Sequence, residues 1–198
     1  IIREEAKAVS GMTVSVVSFW DIPGMDHLVA FTDTGVNIKP GVKAKAEVIK
    51  NAVFVYHLIG HPRPKIAVLS GQREIGGTLD SYKDYDILKK SADAGEFGEC
   101  ELVSATSFTD IFLGDKNHRD GITDLKGDGL PHILVVPCLD TGNILCKLDF
   151  FLDVTRSSLV ATSRGPVCIP SRSDFSDNIV QQIAMCVVLA DEMEKGEQ

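Results

Sequence analysis

The sequence predicts an α/β fold, with a mainly parallel sheet and helices on both of its faces. Five short runs are nearly continuous in apolar residues, as strands buried on both faces of a sheet are. Between these runs lie longer segments whose apolar residues recur at helical spacing. Strand and helix therefore alternate along the chain, which is the pattern of parallel sheets covered by crossover helices.

The first half of the chain contains two strand-to-helix units. TVSVVSFW (13–20) and HLVAFTD (27–33) are predicted strands, and KAKAEVIKNAVFVYHLIG (43–60) is a predicted helix. KIAVLS (65–70) is the third strand, and SYKDYDILKKSADAG (81–95) has the pattern of a second helix.

The second half repeats this alternation. HILVVPC (132–138) and SLVATS (158–163) are predicted strands, and NILCKLDFFLDVTR (143–156) between them is a predicted helix. The stretch 106–130 is polar and rich in turn residues, and either a loop or a short irregular helix fits its composition.

The last predicted helix begins near Asp174. Ser173, Asp174 and Ser176 are N-cap candidates. One buried face is predicted from apolar residues repeating at spacings of four and three: Ile179, Ile183, Val187 and Ala190. Arg172 places a cation beside the helix end that already carries partial positive charge. Two readings fit: Arg172 joins the free amides in binding an anion, or it is a surface arginine in an ion pair.

Composition excludes several classes of function. The 198 residues carry a net charge of −8, which argues against binding to a nucleic-acid backbone. No apolar run approaches the ~20 residues that span a bilayer, so we expect a cytoplasmic protein without a membrane partner. The five cysteines are far apart, without a CxxC pair, and are predicted to be reduced thiols. The histidines lack the spacing of a metal motif, so no metal site is predicted.

Turns that follow strands are the candidate binding segments, because ligands of parallel sheets bind beyond the carboxyl ends of the strands. FTDTGVNIKPG (31–41) offers Asp33 and Asn37, and LDTGNILCK (139–147) offers Gly142, which lets a ligand approach the backbone, and Asn143. An ordinary solvated turn is the alternative for both segments. GQREIGGT (71–78) has glycines of a phosphate-binding loop but no lysine at the required position, so nucleotide hydrolysis is not favoured.

These motifs, in this order and with PSRSD (170–174) before the final helix, resemble the phosphate acetyltransferase and phosphate butyryltransferase family, nearer its butyryl branch. The resemblance spans about residues 13–193. It implies that an acyl group moves between coenzyme A, a substrate rather than a tightly bound cofactor, and inorganic phosphate. It also implies a cleft between two α/β domains and a homodimer.

The resemblance also assigns roles to residues. Ser171 and Arg172 are the implied catalytic pair, with the arginine holding phosphoryl or acyl-phosphate oxygens and the serine near the thiol. The implied substrate-binding residues are Gly142, Asn143, Asp33, Asn37 and Ser173. We expect residues 1–32 and 172–198 to belong to a first domain that needs further upstream sequence, and 33–171 to form a second domain.

The chain departs from the family pattern at three places, and two of these departures, at Asn178 and at 103–110, sustain an alternative. Asn178 stands where the acetyl branch has an aspartate proposed as the base, although the butyryl branch also lacks it. Cys138 follows Pro137 where an acidic or amide residue is usual, and 103–110 replaces an acidic, glycine-containing stretch. The alternative is a non-catalytic paralogue that binds acyl phosphate or coenzyme A as a sensor or regulatory domain. A metal-dependent decarboxylating dehydrogenase would need clustered aspartates and a cofactor loop, neither of which the sequence offers.

Overall fold

The computed structural model describes residues 13–71, 79–113, 130–162 and 165–196. Most of the glycine-rich turn at 71–78 and of the polar stretch at 106–130 lies outside the described residues. In chain order the elements are β1 (Val16–Asp21), β2 (Val29–Thr32), α1 (Val42–Leu58), β3 (Lys65–Val68), α2 (Asp80–Asp93), β4 (Glu101–Leu102), α3 (Phe108–Leu113), β5 (Ile133–Val135), α4 (Leu139–Cys146), a 3-10 turn (Lys147–Phe150), β6 (Thr155–Thr162), β7 (Gly165–Cys168) and α5 (Ser176–Gly196).

The strands form one seven-stranded mixed sheet in the order β4-β3-β5-β2-β1-β6-β7. The first four strands of this order are parallel, whereas β1, β6 and β7 pair antiparallel with their neighbours. Antiparallel pairing follows from the short connections between β1 and β2 and between β6 and β7, since a parallel crossover needs about a dozen residues or more. The predicted α/β class is confirmed, and the antiparallel part and the short strands β4 and β7 are additions to it.

Helices cover both faces of the sheet and bury a core on each. On one face α1, α2 and α5 pack over a cluster that includes Phe19, Tyr56 and Leu159. On the other face α3 and α4 cover a smaller cluster around Trp20 and Phe31. Because successive residues of β1 alternate between the two faces, Ser18 lies on the same face as Trp20, and its hydroxyl is 2.8 Å from the Thr34 hydroxyl in the turn after β2.

The predicted helix at 143–156 is wrong at both ends. α4 starts at Leu139, tightens into the 3-10 turn after Cys146, and the chain enters β6 at Thr155. Pairing with β1 overrides the local helical spacing, because every residue from Thr155 to Val160 faces a partner in β1. The N-cap residue of α4 is Cys138, which makes no side-chain cap hydrogen bond.

The apolar face predicted for the terminal helix is not buried within the described part of this chain. In α5 the residues turned to the sheet are Asn178, Gln182 and Leu189. Ile183 is 52% exposed and Val187 63% exposed. Gln182 is fully buried and donates to the Asp174 carboxylate, so the inward face of α5 is partly polar and apolar spacing alone does not identify it.

The domain division stays a prediction. β1, from the segment assigned to the first domain, lies inside the sheet, and α5 packs against β6 and β7. No helix among the described residues is long and apolar enough to cross a membrane.

Three histidines that are distant in sequence meet at the amino ends of the parallel strands. The ring of His132 lies 4.5 Å from that of His27 and 5.1 Å from that of His61. Burial, followed by the charges of His27 and His61, lowers the pKa of His132 to about 4. The candidate binding turns follow the carboxyl ends of these strands, so the histidine cluster lies at the opposite end of the sheet from them. Within the described ranges no group of histidine, cysteine and acidic side chains has the geometry to hold a metal ion.

Candidate active site

The turn after β2 is organised by the buried carboxylate of Asp33. Its oxygens accept the backbone N–H groups of Val16 at 2.9 Å, Gly35 at 3.0 Å, Val36 at 3.2 Å and Asn37 at 2.7 Å. The Asn37 side-chain amide donates to the same carboxylate at 2.6 Å and to the Val14 carbonyl at 2.9 Å. Asp33 and Asn37, predicted to bind substrate, therefore use these polar groups to hold the turn in one shape.

Gly142 brings α4 against this turn. A Cβ atom at position 142 would lie 2.8 Å from the Asp33 carbonyl oxygen and 3.0 Å from Thr34 Cα. The close approach that this glycine permits in the folded chain is therefore to protein backbone, and its role in substrate binding stays a prediction. Asn143, the next residue, is exposed on α4.

Lys147 connects the end of α4 to the loop before α5. Its Nζ donates to the Ser171 hydroxyl at 2.9 Å and to the Ser173 hydroxyl at 3.2 Å, and the two hydroxyl oxygens are 3.1 Å apart. Sequence reasoning missed Lys147. A signal was present, because Lys147 lies four residues after Asn143, a spacing that puts both on one side of a helix.

Arg172 adds a second cation to this loop. Its side chain is exposed. Within the described ranges neither Arg172 nor Lys147 has a carboxylate within salt-bridge distance, although acidic residues outnumber basic ones by 28 to 20 in the chain. The alternative that Arg172 is a surface arginine in an ion pair is therefore not supported among the described residues. Lys147 and the two serine hydroxyls lie together, and Arg172 stands between these serines in the chain, so the loop carries donors of the kind that bind a phosphate or carboxylate group.

Asp174 turns inward and does not serve as the helix cap that the sequence suggested. One carboxylate oxygen accepts the Ser171 backbone N–H at 2.7 Å and the Gln182 amide at 2.9 Å, and the other pairs with Arg156. Burial opposes ionisation, but hydrogen bonds from Gln182 and Ser171 and the charge of Arg156 lower the pKa of Asp174. The Asp174 carboxylate is occupied by Ser171, Gln182 and Arg156 and does not cap the helix, and α5 begins at Ser176.

Cys138 lies at the carboxyl end of β5 and at the start of α4. Its sulfur is 3.4 Å from the Thr141 hydroxyl. Burial acts to raise its pKa, but hydrogen bonds from the Thr141 side chain and from the amides of Thr141 and Asp140 outweigh burial and lower it. The departure at position 138 therefore places a partly exposed thiol, with more thiolate than an ordinary cysteine, near the candidate site.

The predicted site residues thus fall into two groups. Gly142, Asp33 and Asn37 lie together at the carboxyl end of β2, and Ser171 and Ser173 lie together with Lys147. Arg172 is exposed in the same loop as the serines, and Asn143 is exposed on α4, the helix that runs from the first group to the second.

Comparisons with known proteins identify the family of the chain. A family model described as phosphate acetyl/butaryl transferase matches residues 2–187. The chain is 28% identical over 192 residues to a phosphate butyryltransferase of Clostridium acetobutylicum, covering 96% of this chain and 63% of that protein. It is 29% identical over 195 residues to a phosphate acetyltransferase of Rhizobium meliloti, covering 96% of this chain and 60% of that protein.

A solved structure shares the fold. The branched-chain phosphotransacylase from Enterococcus faecalis matches with a TM-score of 0.75 at 23% identity, covering 94% of this chain and 68% of that one. The chain spans about 60% of the length of the two curated relatives.

Proposed function

Because the chain belongs to the phosphate acetyl/butaryl transferase family, we propose that it transfers an acyl group between coenzyme A and inorganic phosphate. In this reaction a phosphate oxygen attacks the thioester carbonyl, the carbon–sulfur bond breaks, and acyl phosphate and coenzyme A leave. The observation that carries the proposal is the surface formed by Lys147, Ser171, Ser173 and Arg172, where two cations lack carboxylate partners within the described ranges.

The roles of these residues follow from the charge that the reaction carries. Phosphate is dianionic or monoanionic near neutral pH, and holding it beside the thioester requires cations that are not already neutralised. Arg172 offers a planar pair of donors, and Lys147 offers a point charge fixed by two hydroxyls. As the attack proceeds, negative charge develops on the carbonyl oxygen and on the departing sulfur, where hydroxyl donors such as Ser171 stabilise it.

The proposal extends to the length of the acyl chain, the oligomeric state and the cellular compartment. A butyryl or similar short acyl group is proposed because a butyryltransferase is among the relatives. We expect a cytoplasmic homodimer that uses coenzyme A only as a substrate and needs no tightly bound cofactor. The comparisons contain nothing that favours the non-catalytic sensor.

The test is phosphate-dependent release of coenzyme A from butyryl-CoA by the complete gene product, followed with a thiol reagent. Release that requires phosphate and yields butyryl phosphate is expected. Sulfate is the matched control, because it fills an anion site but is too weak a nucleophile to accept the acyl group. Release at the same rate with sulfate, or none with phosphate for butyryl-CoA and acetyl-CoA, would refute the proposed reaction.

A further inference from the structure

We propose that Arg156 is a positioning residue: acting through Asp174, it holds the Ser171–Arg172 segment in the orientation that receives the anionic substrate. This role rests on the proposed function of that segment. Arg156 lies on β6 and touches neither Ser171 nor Arg172 directly within the described hydrogen bonds.

The Arg156 guanidinium is buried and divided among three partners. Its Nε donates to Asp149 at 2.7 Å, one terminal nitrogen donates to the Ser158 hydroxyl at 3.0 Å, and the other pairs with Asp174. Arg156 is only 4% exposed, and the side chains of Asp149 and Asp174 are 8% and 0% exposed. Each group is therefore held in a defined place by the packing around it.

Asp174 passes this constraint to the loop. The oxygen not paired with Arg156 accepts the Ser171 N–H at 2.7 Å, and the Asp174 N–H in turn donates to the Ser171 carbonyl at 3.0 Å. Both backbone polar groups of Ser171 are thus bonded to one residue. Rotating Ser171 away from Lys147 would break these bonds beside a buried carboxylate, which is costly.

Arg156 also connects the loop to the other group of site residues. The Ser158 hydroxyl, which accepts from Arg156, lies 2.9 Å from the Ser18 hydroxyl, and Ser18 lies 2.8 Å from the Thr34 hydroxyl. Thr34 follows Asp33 in the turn against which Gly142 packs. A continuous chain of side-chain hydrogen bonds therefore runs through Arg156 from this turn to Asp174 and the loop.

Stability alone is a poor explanation for this cluster. Replacing a buried ion pair by well-packed apolar side chains is often neutral or stabilising, because desolvation offsets the attraction. Here one oxygen of Asp149 is buried without a partner among the described residues, an additional cost. Because burial of this charged cluster gives little net stability, we assign Arg156 a positioning role: through Asp174 it orients the loop that contains Ser171.

The experiment compares Arg156→Lys with the control Asp149→Asn. The lysine variant keeps the charge but cannot bridge three partners, whereas the asparagine variant removes only the charge bonded to Nε and leaves the contact between Arg156 and Asp174 in place. Amide hydrogen exchange of Ser171, followed by NMR, reports the loop without reference to activity. The KM for phosphate and kcat report its consequence for the reaction.

Arg156→Lys is expected to speed Ser171 exchange at least tenfold, leave Val160 in β6 protected, and raise the phosphate KM at least tenfold. Asp149→Asn should change each quantity less than threefold. Unchanged Ser171 exchange in Arg156→Lys, equal effects in both variants, or faster exchange with unchanged phosphate KM and kcat would overturn the proposal.

If Arg156→Lys does not fold, Asp174→Asn provides the same comparison, because it weakens the link and keeps an amide oxygen for the Ser171 N–H. Failure of both variants to fold would also overturn the proposal, since the cluster would then serve the whole fold. A wild-type protein that transfers no acyl group would refute the proposed reaction, whereas the exchange measurement would still decide whether Arg156 holds the loop.

Discussion

Replacing Gly142 by alanine tests how closely α4 is pressed against the Asp33 turn. In an open helix this change adds about 1 kcal/mol of stability, because alanine has the higher helix propensity. At position 142 the new methyl group would lie 2.8 Å from the Asp33 carbonyl oxygen and 3.0 Å from Thr34 Cα. Both atoms are backbone, and the turn that carries them is fixed by the Asp33 hydrogen bonds, so neither can rotate away.

Overpacking of this kind costs typically about 1–3 kcal/mol. The third close atom, Val136 Cγ2 at 2.9 Å, belongs to a buried β-branched side chain with little room to move, which puts Gly142→Ala toward the upper end. After the gain in helix propensity is subtracted, a net loss of about 1–2 kcal/mol is expected. For a chain of this size such a loss lowers Tm by about 2–8 °C.

Urea unfolding followed by fluorescence provides the measurement. Trp20 is the single tryptophan of the chain and is 4% exposed in the core beneath α4, so its emission reports this region. The matched control is Asn143→Ala, one residue along and exposed, which should be neutral or gain up to about 0.7 kcal/mol. Stabilisation of Gly142→Ala by about 1 kcal/mol, as in an open helix, would refute the close approach of helix and turn.

Two further predictions concern a titration and a charge. Because the pKa of His132 is about 4 in the folded chain and about 6.5 when unfolded, the unfolded state binds the proton first as pH falls. The free energy of unfolding should therefore decrease by about 1–2 kcal/mol as the pH falls from about 6.5 to 4, since this group is half-buried. In urea titrations, His132→Gln should make the free energy of unfolding less dependent on pH over this range. The same pH dependence in both proteins would contradict this prediction. Arg172→Ala should raise the phosphate KM at least tenfold and change the free energy of unfolding by less than about 0.5 kcal/mol, because the side chain is exposed. The control is Lys83→Ala, which replaces an exposed lysine on α2 and should leave both quantities unchanged. An unaltered phosphate KM in Arg172→Ala would show that Arg172 is not part of the site.

The sequence patterns predict the strands of the central sheet because buried strands form apolar runs that need no knowledge of their neighbours. They do not predict how β1 and β6 pair, since side-chain alternation is the same for parallel and antiparallel partners. The prediction of where the helix at 143–156 ends fails for a related reason: its last two residues, Thr155 and Arg156, fit the helical pattern locally but pair with β1 in the folded chain.

The candidate site is divided in the same way. Ser171 and Arg172 are marked by a short motif and by the unusual place of a cation before a helix. Lys147 is marked only by its spacing from Asn143, and Arg156 is not marked, because their importance comes from contacts with residues 24 and 18 positions further along, at Ser171 and Asp174. Asp33 is found by its motif, yet only the folded turn shows that backbone amides occupy its carboxylate.

Titration of the protein with inorganic phosphate in a calorimeter, compared between the wild type and Lys147→Ala, tests the central claim most directly. The claim is that the cations of the Ser171 loop hold phosphate, and Lys147 is the cation placed there by structure alone. Kd for phosphate should rise at least tenfold in Lys147→Ala, with unfolding free energy within about 1 kcal/mol of wild type, because only two partly exposed hydrogen bonds are lost. An unchanged Kd in a folded Lys147→Ala protein, or no phosphate binding by the wild type at millimolar concentrations, would contradict the account.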